Sequence, residues 1–182
     1  QSGEAKSNFV GFQEITCHII FDIKMDLTRK ARFVAGGHLT ETPASLTYAS
    51  VVSRDSVRLA FLIASLNELE ILACNIGNAY LNAPCREQIW FVAGPEFGLQ
   101  QGKVVKIVQG LYGLKSSGAS WRSVLKEAII DDLAFRPTIA DPDAYRRRTT
   151  HPNGYEYWEL LLVYVDDILI ISHEPQTHLQ KL

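Results

Sequence analysis

The segment from Leu160 to Ile171 constrains the fold more than any other. Four apolar residues, Leu160-Leu161-Leu162-Val163, run into Tyr164-Val165-Asp166-Asp167, and four more, Ile168-Leu169-Ile170-Ile171, run out. Two β-rich arms joined by a tight acidic turn read as a hairpin. Adjacent carboxylates repel one another, and burial between apolar arms adds a desolvation cost. A divalent cation relieves both penalties. A solvated Asp-Asp turn is the ordinary alternative, and acidic residues are common in turns. The turn by itself leaves both readings open.

Composition narrows the setting. The 182 residues are 47% hydrophobic and 21% charged, which fits one globular domain, or one domain and a part, with a real core. The net charge of −2 excludes a whole-chain basic signature for nucleic acid, so any such surface is local. Cys17, Cys74 and Cys85 are odd in number and widely spaced, without a Cys-x-x-Cys pair. They predict neither a disulfide framework nor a zinc site, and they fit a reducing intracellular compartment. His38, His173 and His178 have no ligand-spaced partners and are expected at the surface. The longest apolar stretch is interrupted by Asp166 and Asp167 and is too short to span a bilayer, so no membrane partner is expected. The polar start without an initiator Met, and the stop at Leu182 just after the hairpin, are expected of a piece cut from a longer polypeptide.

Alternation of Ile15, Cys17, Ile19, Phe21, Ile23 and Met25 predicts a strand with one buried face. The run Arg29 to Ala35 predicts a second strand paired with it, ended by Gly36-Gly37. Residues 38–52 read as a loop. A helix starts at Ser53 or Asp55 and turns Val57, Ala60, Phe61, Ala64 and Leu66 to the core. Leu69, Ile71 and Ala73 alternate in a strand that runs into Cys74 to Leu81. Further strands are predicted at 88–92 and 104–108. The glycine-bearing loop Gly110 to Gly118 precedes a helix with Trp121, Leu125, Ile129 and Leu133 on one face. Arg146-Arg147-Arg148 reads as a solvated face before it reads as a contact to nucleic-acid backbone. Strands and helices mix without βαβ regularity, so the fold class is α+β.

Five segments in order carry a resemblance. They are Lys30 to Gly37, Asn75 to Asn82, Leu111-Tyr112-Gly113-Leu114-Lys115 followed by Trp121, Ala140-Asp141-Pro142, and Leu162 to Asp167. This series resembles copia-type LTR retrotransposon reverse transcriptases over about residues 11–175. The resemblance implies a right-hand polymerase fold: an antiparallel sheet packed by helices, residues 11–70 mainly fingers, 71–175 mainly palm with some fingers, and the thumb absent. It implies template-directed DNA synthesis on an RNA or DNA template with a primer and dNTP, using Mg2+ (or Mn2+) in a two-metal mechanism. Asp166 and Asp167 match the catalytic and metal-binding hairpin pair. Ile76 would lend its backbone carbonyl to the metal. Gly77, Asn78 and Ala79 would present backbone N–H groups to the triphosphate, and Tyr80 matches the steric gate against a ribose 2′-OH. Lys30 and Arg32 would clamp the triphosphate from the fingers. Gly113 and Lys115 fall in the nucleotide-positioning loop. The implied partners are the remaining polyprotein domains (thumb, ribonuclease H, integrase), and the implied location is a cytoplasmic virus-like particle.

One position departs from the pattern. The third carboxylate of the family falls on Asn75, which keeps an oxygen but loses the charge. Activity is therefore expected to be impaired or lost, since charge stabilisation is removed where the transition state needs it. Asp141 and Asp143 match a different segment and are not expected to substitute. Two alternatives stand beside this reading: a nucleic-acid-binding remnant without chemistry, and another two-metal palm enzyme such as a nucleotidyl cyclase. Tyr80 and the Lys115 loop speak against the second.

Overall fold

The computed structural model describes residues 10–41 and 47–179. In chain order the strands are β1 (Gln13–Glu14), β2 (Cys17–Ile23), β3 (Arg29–Ala35), β4 (Glu70–Asn75), β5 (Ile89–Val92), β6 (Val104–Lys106), β7 (Arg136–Pro137), β8 (Ala144–Thr150), β9 (Glu156–Tyr164) and β10 (Asp167–Ser172). The α-helices are α1 (Arg54–Leu66), α2 (Ser117–Asp131) and the short α3 (Gln176–Leu179). The class is α+β, with few helices and several sheets. The described residues form two compact units, one within 1–48 and 80–121, the other within 49–79 and 122–182.

The first unit holds the sheet β1-β5-β6 and the separate β2-β3 hairpin. Its core gathers Ile15, Ala35, Ile89, Phe91, Ile107 and Leu114, with Phe33 packed on Phe91 and Phe97 at ring distances of 5.5 Å. The expected pairing of 29–35 with the preceding strand is present, from Cys17↔Ala35 to Ile23↔Arg29. The expectation that the first strand buries one face is corrected: only its root packs, and Phe21 is 78% exposed. Alternation identified a strand but not the extent of what covers it.

The second unit is built on a five-stranded antiparallel sheet in the order β4-β10-β9-β8-β7. Leu161, Leu162, Val163, Ile168, Ile170 and Ile171 are all buried, so the central hairpin is covered on both faces. That double burial is why its arms are continuously apolar rather than alternating. One face packs on α1, whose Ala60 and Ala64 join Val52, Leu162 and Ile171. Ser53 caps α1 through Ser56 N, as its position predicts, but Leu66 is 73% exposed and Phe61 is only about half-covered. A small-residue stripe therefore makes the close contact.

Polar side chains carry much of the second unit. Asp143 is 1% exposed and accepts two bonds from Arg122, at 2.8 and 2.7 Å, and one from Ser50. Asp141 accepts from Ser53 N at 2.9 Å and Ser56 Oγ at 2.6 Å, tying α1 to the start of β8. Burial opposes the charge on Asp141, but these hydrogen bonds outweigh it and hold the carboxyl below the usual range. The Arg146–Arg148 run lies in strand β8, where Arg146 and Arg148 are exposed, as a solvated face predicts, and Arg147 is half-buried. Arg147 bonds Glu159 at 2.8 and 2.6 Å and Leu133 O at 2.8 Å, Arg148 pairs with Glu156, and Arg146 lies over Trp158. His178 is likewise corrected from surface to core: it is 4% exposed and bonded to Glu159 at 3.2 Å.

Candidate functional site

The acidic turn is a two-residue hairpin loop. Tyr164 and Asp167 face each other as the last pair of β9 and β10, and Val165-Asp166 form the loop. Val165 sits at φ 60°, a conformation costly for a β-branched residue. The turn is pinned from the side by β4: Ile76 N donates to Asp166 O at 2.8 Å. The β4–β10 register then sets Asn75 opposite Asp167. Their side chains meet, with Asn75 Nδ2 donating to Asp167 Oδ1 at 3.1 Å. Asp166 is half-buried, while Asp167 and Asn75 are exposed.

The predicted Asn75, Asp166 and Asp167 thus occupy one end of one sheet. Beyond it the chain turns through Gly77 and Asn78, the latter at φ 53°, a left-handed geometry that Asn tolerates. Ala79 is buried and opens a 3₁₀ turn, Ala79–Asn82. Cys74, next to Asn75, has its thiol pushed up by burial and, secondarily, by the Asp167 charge. Among the described residues, no three His, Cys, Asp or Glu side chains cluster as a metal site. The two neighbouring carboxylates and the carbonyl oxygen that an amide rotation of Asn75 would offer are hard donors. They suit one small divalent cation and leave a second short of negative charge.

The other predicted nucleotide-binding residues belong to the first unit. Lys30 and Arg32 lie on one face of β3, with Arg32 3.6 Å from Asp22. Tyr80 packs on Tyr112, ring centroids 4.8 Å apart. Gly113, at φ 91°, allows the loop to touch β3, where Ala35 N donates to Tyr112 O at 2.8 Å. Lys115 Nζ donates to Thr40 O at 2.5 Å. Trp121 is buried, which supports packing rather than contact. Sequence reasoning passed over Glu87, whose buried carboxylate accepts from Ser116 N at 2.9 Å. A lone Glu before an apolar strand gives no local signal of such a role.

Residues 7–181 match the family described as reverse transcriptase (RNA-dependent DNA polymerase). The chain is 34% identical over 165 residues to the Transposon Ty1-NL2 Gag-Pol polyprotein of Saccharomyces cerevisiae, covering 88% of this chain and 9% of that protein. It is 35% identical over the same length and shares to the Ty1-DR5 Gag-Pol polyprotein of the same yeast. The chain belongs to the reverse transcriptase family. Within it, the chain is a copia-type reverse transcriptase region. It spans only 9% of the length of these polyproteins. No helix among the described residues is long and apolar enough to cross a membrane.

Proposed function

We propose that this chain is a template-directed DNA polymerase region whose phosphoryl transfer is impaired at Asn75. The observation that carries the reading is the side-by-side placement of Asn75 and Asp167 beside the Asp166 turn. Residues 71–175, with the acidic hairpin, would serve mainly as palm with some fingers, and residues 11–70, with the β2-β3 hairpin, mainly as fingers. Asp166 and Asp167 would hold Mg2+ (or Mn2+), with the Ile76 carbonyl assisting and Asn75 contributing weakly. When bound, such ions supply electrostatic stabilisation of the attacking 3′ oxygen and the leaving pyrophosphate. Arg32 and Lys30 orient the triphosphate through charge-assisted hydrogen bonds. The backbone of Gly77, Asn78 and Ala79 offers N–H donors to it, Gly113 and Lys115 position the nucleotide, and Tyr80 excludes a 2′-hydroxyl. Primer-template and dNTP are the substrates of this reading.

With one carboxylate replaced by an amide, a fixed negative charge is missing where charge develops. Removing one such preorganised group costs about 10²–10³ in rate. The test is primer extension on primed RNA with Mg2+ and dNTPs, comparing the natural chain with Asn75→Asp, both extended through the thumb. The Asp variant is expected to extend at least about 100-fold faster. Equal rates would refute the account of Asn75. A folded, Mg2+-binding Asp variant that extends nothing would favour a nucleic-acid-binding remnant instead.

A further inference from the structure

Within the first unit, the two segments assigned to the triphosphate are locked together backbone to backbone. A Cβ placed on Gly37 would lie 2.2 Å from Gly113 O, and one on Gly113 would lie 2.1 Å from Ala35 O. These contacts lie at the Tyr112–Gly113 end of the loop. A polar clamp closes beside it. Glu87 is 8% exposed, and its Oε1 accepts from Ser116 N at 2.9 Å. Its Oε2 lies 3.3 Å from Thr40 Oγ1. Thr40 Oγ1 has one proton and two acceptors within reach, Glu87 Oε2 and Gly37 O, the latter at 2.8 Å. The Thr40 carbonyl in turn takes the Lys115 ammonium. Ser116 Oγ is buried with no hydrogen-bond partner among the described residues, so the residue is held through its backbone, by the N–H bond to Glu87 and by its carbonyl, which accepts from Ser120 N at 2.9 Å.

We propose that Glu87 is a positioning residue: its buried carboxylate fixes the Gly113–Lys115 loop against the end of β3, so that Arg32 and Lys115 present themselves to a nucleoside triphosphate as one body. The proposal rests on the nucleotide-binding reading above. Glu87 touches no substrate in this scheme. It acts through Ser116 and Thr40, and its length matters more than its charge.

The test uses dGTP with Mg2+ and the whole chain, read by titration calorimetry and by amide hydrogen exchange at Ser116. Glu87→Asp keeps the charge but withdraws the carboxylate by one methylene. Glu87→Gln keeps the reach and an acceptor for Ser116 N, and its amide can donate to Thr40 Oγ1. The Asp variant is expected to lose Ser116 protection and to bind dGTP about 10-fold more weakly, equivalent to about 1.4 kcal/mol. The Gln variant should stay within about twofold on both readouts. A purely structural Glu87 would lower the melting temperature of both variants and leave dGTP affinity unchanged below it, and that result overturns the proposal. So does a Gln variant as weak as the Asp variant. Arg32→Ala, measured in parallel, separates the two levels. If it weakens dGTP binding while Glu87→Asp does not, the positioning claim fails alone. If it binds as the natural chain does, or the natural chain binds no dGTP, the nucleotide reading fails and the proposal with it.

Discussion

Asn75→Asp tests the site without relying on turnover. In the natural chain, Asn75 Nδ2 donates to Asp167 Oδ1 across 3.1 Å. The variant loses that bond, a net cost of about 1 kcal/mol. It also sets two carboxylates about 4 Å apart, and because both positions are exposed, the repulsion is close to the value in water, about 1 kcal/mol. The sum is about 2 kcal/mol. For a chain of this size each kcal/mol moves the melting temperature by about 2–4 °C, so the variant should melt about 4–8 °C lower in EDTA. Added Mg2+ reverses the sign. Binding at ten times Kd returns about 1.4 kcal/mol, and a third carboxylate lowers Kd relative to the natural chain. Calorimetric melting of both chains, with EDTA and with Mg2+ raised to 10 mM as the chosen test range, gives four curves. The expected pattern is a variant less stable without the ion that recovers most of the difference with it. Two results would sink the reasoning: a variant that melts at or above the natural chain in EDTA, or equal Mg2+ shifts in both chains. In 1 M salt the EDTA difference should shrink, because exposed charges are then screened.

Three further outcomes follow from the packing. Gly113→Ala places a Cβ 2.1 Å from Ala35 O at φ 91° and should destabilise the first unit by about 3 kcal/mol or more, read by chemical denaturation. Glu159 is 2% exposed. Burial opposes its charge, but bonds from His178, Ser172 and Arg147 hold its carboxyl down at about 2, against an ordinary 4.5. A depressed carboxylate stabilises the fold above its unfolded value. That contribution, on the order of 3 kcal/mol, should drain away between about pH 4.5 and pH 2 and be absent from the acid titration of Glu159→Gln. Asp141→Ala removes the acceptor for Ser53 N and Ser56 Oγ and should cost about 1–3 kcal/mol, with hydrogen exchange rising first at the start of α1.

Local signals located what short-range chemistry determines. The Leu160–Ile171 hairpin, the Ser53 cap and the α2 core face of Leu125 and Ile129 were all legible, because periodicity and capping act within a few residues. Strand β8 has no local signal, because three consecutive arginines look like a solvated run. Only the sheet shows Arg147 bonded to Glu159, and Arg146 laid over Trp158. His178 was misplaced for the same reason, since its partner Glu159 lies 19 residues away.

The order of motifs determined, by itself, that this is a copia-type reverse transcriptase region, and the resemblance implies a carboxylate where Asn75 stands. What only the tertiary structure decided is what Asn75 faces. The β4–β10 register carries it across 92 residues of chain to Asp167, and the pinned turn carries Asp166 alongside. Register is a property of two strands together, set by both buried faces of the hairpin. No local pattern contains it, and the same holds for the carboxylate of Glu87 under the loop it clamps.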